Sequence, residues 1–230
     1  MRPCPKRRGL VVAAALVALA GCGPSSGSSP KAGGTTSAKP SQSAHYTAPP
    51  AELPVAGTTV PMSTGPAPWP APVLVDQGKD SAAYVAAAGL PYAEEMLSVH
   101  YHAHLDVIVD GKPAPVAQYL GFVAKGQNVQ GLAPLHTHDF SGIIHIENDV
   151  PATFVLGQVF VEWGVRFSST CLGSYCAGGG KELAVFVNGK RQTGDPTRIV
   201  LAKHQEIAVV YGTADQLTNV PSSYAFPKGV

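Results

Sequence analysis

From Val99 to Val109 the chain alternates without a break. Tyr101, Ala103, Leu105, Val107 and Val109 fall on one side; His100, His102, His104 and Asp106 fall on the other. A period of two fits a β-strand and excludes an amphipathic helix, whose period is 3.6. The segment predicts a half-buried strand, with a covered apolar side and an opposite side that carries imidazoles. Asp110-Gly111 follows, a pair that suits a type I′ hairpin turn.

The pattern has an echo downstream. LDVIVDGK at 105–112 matches LAVFVNGK at 183–190, with Asn188-Gly189 in place of Asp110-Gly111. Each copy precedes a Leu-x-x-His, Leu135 to His138 and Leu201 to His204. The copies arise by duplication or by shared turn chemistry. Between them Leu156, Val159, Phe160 and Trp163 recur at helical spacing, with Gly164 as a stop. Leu135 to Glu147 reads as a bent strand or strand pair, turned at Asp139–Gly142, and Ile207–Tyr211 as the last core strand. Asp80 can cap a short helix through Ala88, and a second is expected after Pro91. The predicted fold is α+β and β-rich: two similar β-hairpin modules with a helix between them, preceded by short helices.

Six of the eight histidines lie in two segments, His100, His102 and His104, then His136, His138 and His145. Alternate strand residues sit roughly 6.5–7 Å apart on one face, so two imidazoles can converge on one ion. Three in a row cannot easily do so; the third supports the others or serves another ion. His136 and His138 on a neighbouring strand could complete the site, with Glu147 as a carboxylate ligand and Asp106 or Asp139 as others nearby. Imidazole with carboxylate suits a divalent transition ion such as Zn(II) or Cu(II). The second copy has Glu182 and Ala184 where the first has His104 and Asp106, so a hairpin of this kind forms without them. The leading expectation is metal binding. A structural histidine cluster on an interaction or scaffold protein is the alternative. A metal-dependent hydrolase is third, since nothing fixes a substrate.

The N-terminus gives an address. Arg2, Lys6, Arg7 and Arg8 precede an apolar run, Leu10–Ala20, that is too short to span a bilayer. Leu19-Ala20-Gly21-Cys22 then resembles a bacterial lipobox, which implies cleavage after residue 21 and diacylglycerol on the Cys22 thiol. Loss of residues 1–21 takes four of sixteen basic residues, leaving twelve against fifteen acidic, a net charge of −3. Attachment to the membrane is then expected through lipid rather than charge, on the extracytoplasmic face. Cys171 and Cys176 remain and outside the cytoplasm should pair as a disulfide that clips a turn.

Residues 22–72 are rich in Gly, Ser, Thr, Ala and Pro and read as a disordered tether. The globular domain is expected over 73–212, with 213–230 a loose tail. Charged residues make up only 13% and no basic tract follows residue 8, which excludes a nucleic-acid binder. No phosphate-binding glycine loop opens a helix.

HAHLDVIVDGK at 102–112, LHTHDFSGIIHIE at 135–147 and LGQVFVEWG at 156–164 together resemble a group of bacterial exported proteins, many of them actinobacterial lipoproteins. The likeness spans about residues 90–212. It implies a cell-envelope location and a shared fold, and no particular activity.

Overall fold

The computed structural model describes residues 45–54, 60–69, 80–95, 97–125 and 128–230. The expected signal peptide, Cys22 and the stretch 23–44 lie outside the described residues. In chain order come helix α1 (Ser81–Ala87) and strands β1 (Val99–Val109), β2 (Lys112–Ala114), β3 (Phe122–Lys125), β4 (Asn128–Leu132), β5 (Leu135–His136) and β6 (Ile143–Asn148). Helix α2 (Leu156–Trp163) and strands β7 (Cys171–Leu172), β8 (Tyr175–Cys176), β9 (Lys181–Val187), β10 (Lys190–Arg191) and β11 (Glu206–Thr213) follow, with short 3-10 helices at Pro196–Arg198 and Ala214–Leu217. The fold is α+β and mostly sheet, as expected.

The main sheet runs β10-β9-β11-β1-β6-β5, with β2 also paired to β1. The two echoing hairpins flank β11, which is parallel to β1 and antiparallel to β9. Both turns are as expected: Asp110 and Gly111 have φ of 51° and 74°, Asn188 and Gly189 of 50° and 74°. That left-handed pair matches the twist of the strands it joins.

The period-two pattern sorts side chains onto two faces. Leu105, Val107, Ile144, Ile146, Leu135, Ile207 and Val209 face the main core, where Phe154, Leu156, Phe160 and Trp163 join them. Every residue of α2 is buried, and Gln158 satisfies its start by accepting from the Val155 N–H at 3.0 Å. The opposite face carries Ala184, Phe186, Ala208 and Val210 at one end and the histidines at the other.

Four expectations are corrected. First, β1 is covered on both faces at its middle, where His102 and His104 are 5% and 3% exposed, while His100 on the same face stays exposed. Second, among the described residues no helix follows Pro91. Ala93 instead exchanges backbone hydrogen bonds with Leu132, at 3.1 and 2.8 Å, which uses the groups a helix would need. Third, the segment 213–230, though mostly exposed, is fixed to the sheet at points rather than loose along its whole length. Leu217 covers Ala184, Phe186, Ala208 and Val210, and Tyr224 stacks on His104 with centroids 3.6 Å apart. The second sheet face is apolar there and needs a cover, which the tail supplies without any periodicity of its own.

Fourth, part of the supposed tether belongs to the core. Tyr46, Val60 and Trp69 are buried. Trp69 meets Trp163 edge-on at 5.7 Å, and Tyr46 stacks on Phe154 at 4.9 Å. The Tyr46 hydroxyl donates to Thr153 O at 3.1 Å and accepts from Gln158 Nε2 at 2.9 Å. A few aromatic anchors hold a Pro-rich backbone that averaged composition reads as unfoldable. Tyr46→Phe therefore costs about 1–2 kcal/mol in urea denaturation, because the buried Gln158 and Thr153 groups lose a partner. An unchanged midpoint would mean that this segment is not seated.

Candidate metal centre

Three neighbouring strands bring the histidines together. β1 pairs with β6 so that His102 lies opposite His145 and His100 opposite Glu147. β5 pairs with β6 so that His136 lies opposite the same His145. His102, His145 and His136 therefore form a row across the sheet, and each is placed by the strand alternation itself. His138 follows β5 from the exposed side. The structure gathers five of the six expected histidines, with Glu147, into one cluster.

Four donor atoms close a ring. His100 Nε2 is 3.0 Å from His102 Nε2, which is 3.1 Å from His145 Nδ1. Glu147 Oε1 is 3.2 Å from His100 Nε2 and 3.5 Å from His145 Nδ1. A tetrahedral ion with bonds of about 2.0–2.1 Å has ligand atoms about 3.3 Å apart. The four neighbouring spacings are near that, and the three imidazoles by themselves form a compact metal-sized group to which Glu147 adds a carboxylate beside His100 and His145. Protons alone serve the ring poorly. A ring nitrogen either donates one hydrogen or accepts one, yet His102 Nε2 has two nitrogen neighbours at hydrogen-bond distance.

His136 is held differently. Its residue is 1% exposed, and its Nδ1 lies 3.1 Å from Ala133 O, which it must serve as donor. That fixes Nε2 as the lone-pair nitrogen. Nε2 is buried and has no hydrogen-bond partner; Glu147 Oε1 is 3.8 Å away. Phe122 lies edge-on to His136 and His138 at 5.7 and 5.5 Å, an apolar wall over both.

Electrostatics follow from burial. Burial, helped by the neighbouring His145 and His100, lowers His102 to about 4. Burial also lowers His136 to about 4 and moves His138 down. Burial pushes Glu147 up, but the rings of His145, His136 and His100 outweigh it and hold the carboxyl low. Glu147 is thus an ionised carboxylate beside His102 and His136 held neutral, the protonation state that metal ligands require.

This has a consequence for the metal-free protein. A histidine depressed in the folded state takes its proton more readily when unfolded. Its contribution is complete above the ordinary value of 6.5 and is lost as pH falls toward 4. The metal-free chain should lose roughly 2 kcal/mol between pH 7 and pH 4.5 from His136 alone. Urea midpoints at the two pH values check this. A His136→Gln variant that loses as much as the parent would assign the loss elsewhere.

His104 stands apart. Its Nδ1 is 2.7 Å from Glu206 Oε2 and its Nε2 is 2.8 Å from Ser141 O. With Asp106 and Glu206 it forms a further group compact enough for an ion, but both its nitrogens are already engaged. Burial lowers His104, yet the Glu206 hydrogen bond and charge outweigh it and the net shift is upward. Burial moves Glu206 up as well, so the two share a proton beneath Tyr224. Asp139 is occupied in its own turn, accepting from the Ser141 N–H at 2.8 Å.

Sequence reasoning missed Glu206, Tyr224 and Phe122. Only Glu206 left a signal, because it opens β11 in phase with Ala208 and Val210. The expected disulfide is present, joining Cys171 and Cys176 across β7 and β8. Among the described residues, no helix is long and apolar enough to cross a membrane. Compared with protein-family models, with curated proteins and with solved structures, the chain gives no match.

Proposed function

We propose that this is a lipid-anchored cell-envelope protein that binds a divalent transition ion at His100, His102, His145 and Glu147. The observation that carries the reading is the closed ring of three imidazole nitrogens and one carboxylate oxygen at 3.0 to 3.5 Å. Such a donor set favours Zn(II) or Cu(II) over Mg(II) or Ca(II), which want oxygen. The His100 ring is half open to solvent, so an ion has a path in. The anchor is Cys22, on the lipobox reading, and the Cys171–Cys176 disulfide suits an oxidising compartment.

The test is a Zn(II) titration of the untagged full-length protein in mild detergent, against a chromophoric chelator. Competition with the chelator at pH 7.5, lost as pH falls toward 4 and His102 takes a proton, is the expected result. No competition at pH 7.5 would remove the reading, and the cluster would then be architecture.

A further inference from the structure

The ring accounts for three histidines and leaves His136 and His138 beside it. We infer that these two hold a second divalent cation next to the first, with His145 at the boundary between the sites. The inference rests on the metal-binding reading above and extends it from one ion to two.

The strongest observation is the state of His136. Its Nδ1 donates to Ala133 O at 3.1 Å, so its Nε2 is a bare lone pair. That nitrogen is buried and unpartnered, and the nearest charged atom is Glu147 Oε1 at 3.8 Å. A lone pair facing a carboxylate is unfavourable unless a positive charge lies between or beside them. Glu147 Oε2 is likewise buried without a partner. The pattern of a backbone carbonyl holding one imidazole nitrogen while the other stays free is how proteins orient a metal-ligating histidine.

The remaining donors are in place. One ring nitrogen from each of His136, His138 and His145 lies within 4.8 Å of the others. The His138 ring meets His136 at 5.0 Å and His145 at 4.4 Å, both edge-on. One ion cannot serve all five histidines. The first ring already supplies four atoms, and His136 and His138 fall in a separate compact group that meets the first only at His145. Glu95 and Asp139 add negative potential at His138. Phe122 excludes water from one side, which strengthens the attraction there.

The two sites differ in kind. The first has three imidazoles and the carboxylate. The second has one buried imidazole and one exposed imidazole, with the His145 ring beside them but its Nδ1 lone pair given to the first ring, so solvent completes it. The second ion is therefore bound more weakly, exchanges faster, and belongs to the imidazole-preferring class: Zn(II), Cu(II), Ni(II) or Co(II).

Native mass spectrometry of the untagged full-length protein, titrated with Zn(II), reads the stoichiometry directly. Two ions per chain are expected, in two steps, the second at least tenfold weaker. His138→Ala, at an exposed position that the core does not need, should hold one ion. A parent that saturates at one ion overturns the second site and leaves the first standing. A His138→Ala protein that still holds two ions overturns this assignment of residues. A parent that holds none overturns both readings. Co(II) absorption is the second readout: the ligand-field band should grow in two phases in the parent and one in His138→Ala.

Discussion

His145→Ala abolishes tight zinc binding: the affinity falls at least about 100-fold and no ion survives dialysis. Loss of a residue that merely orients a ligand costs about 10–100-fold, and His145 is a ligand in its own right. It is also the one imidazole common to both groups of donors. Its Nδ1 closes the first ring with His102 and Glu147, and its ring stacks on His136 with centroids 5.2 Å apart. The substitution should spare the fold, since His145 is only half-buried and the apolar side of β6 is carried by Ile144 and Ile146. A retained urea midpoint in the metal-free state separates lost ligation from lost structure. His45→Ala is the control, because His45 pairs with Asp149. Equal losses from His45 and His145 would mean that binding is diffuse and the cluster is not a site.

Gly121→Ala should cost about 3–5 kcal/mol of stability, more than any ligand substitution. Gly121 has φ of 71°, where a side chain adds strain of about 1–2 kcal/mol. A Cβ there would lie 2.0 Å from Leu135 O and 2.9 Å from His136 Cβ. The backbone cannot yield cheaply. Ala133 N–H donates to Gly121 O at 2.8 Å, Thr137 N–H to Leu120 O at 3.2 Å, and Tyr119 N–H to Thr137 O at 2.9 Å. This cross-tied segment presses Phe122 against His136 and seals that side of the cluster. The urea midpoint should fall sharply, and zinc binding at His136 should weaken with it. A loss under about 1 kcal/mol would show that the segment is not so closely seated.

The sheet was readable because its rule is local. Alternation in Val99–Val109 assigned both faces of β1, and the Asp-Gly and Asn-Gly pairs placed both hairpins. The same alternation puts Ile144 and Ile146 on the face away from His145 and Glu147. Once β1, β6 and β5 are neighbours, the cluster follows from register alone. What sequence could not give is what covers the sheet. Tyr46, Trp69, Leu217 and Tyr224 sit in Pro-rich or polar segments and pack through single side chains, which leave no period to detect. The division of the histidines was half legible. Spacing said that three on one strand cannot share an ion, but not which one leaves. The parallel pairing of His104 with Glu206 decides that, and it joins positions about a hundred residues apart.

The most direct test of the metal-binding account is X-ray absorption at the zinc edge, on full-length protein loaded with one equivalent of Zn(II). The expected spectrum has four light-atom ligands at about 2.0 Å, with outer-shell scattering from three imidazoles and none from sulfur. Three imidazoles and one oxygen, with the imidazole pattern lost in His102→Ala, would establish the ring of His100, His102, His145 and Glu147 as the ligand set. Six oxygen ligands at longer distance, with no imidazole pattern, would mean that zinc only visits the surface, and the histidine face would have to be explained without a metal.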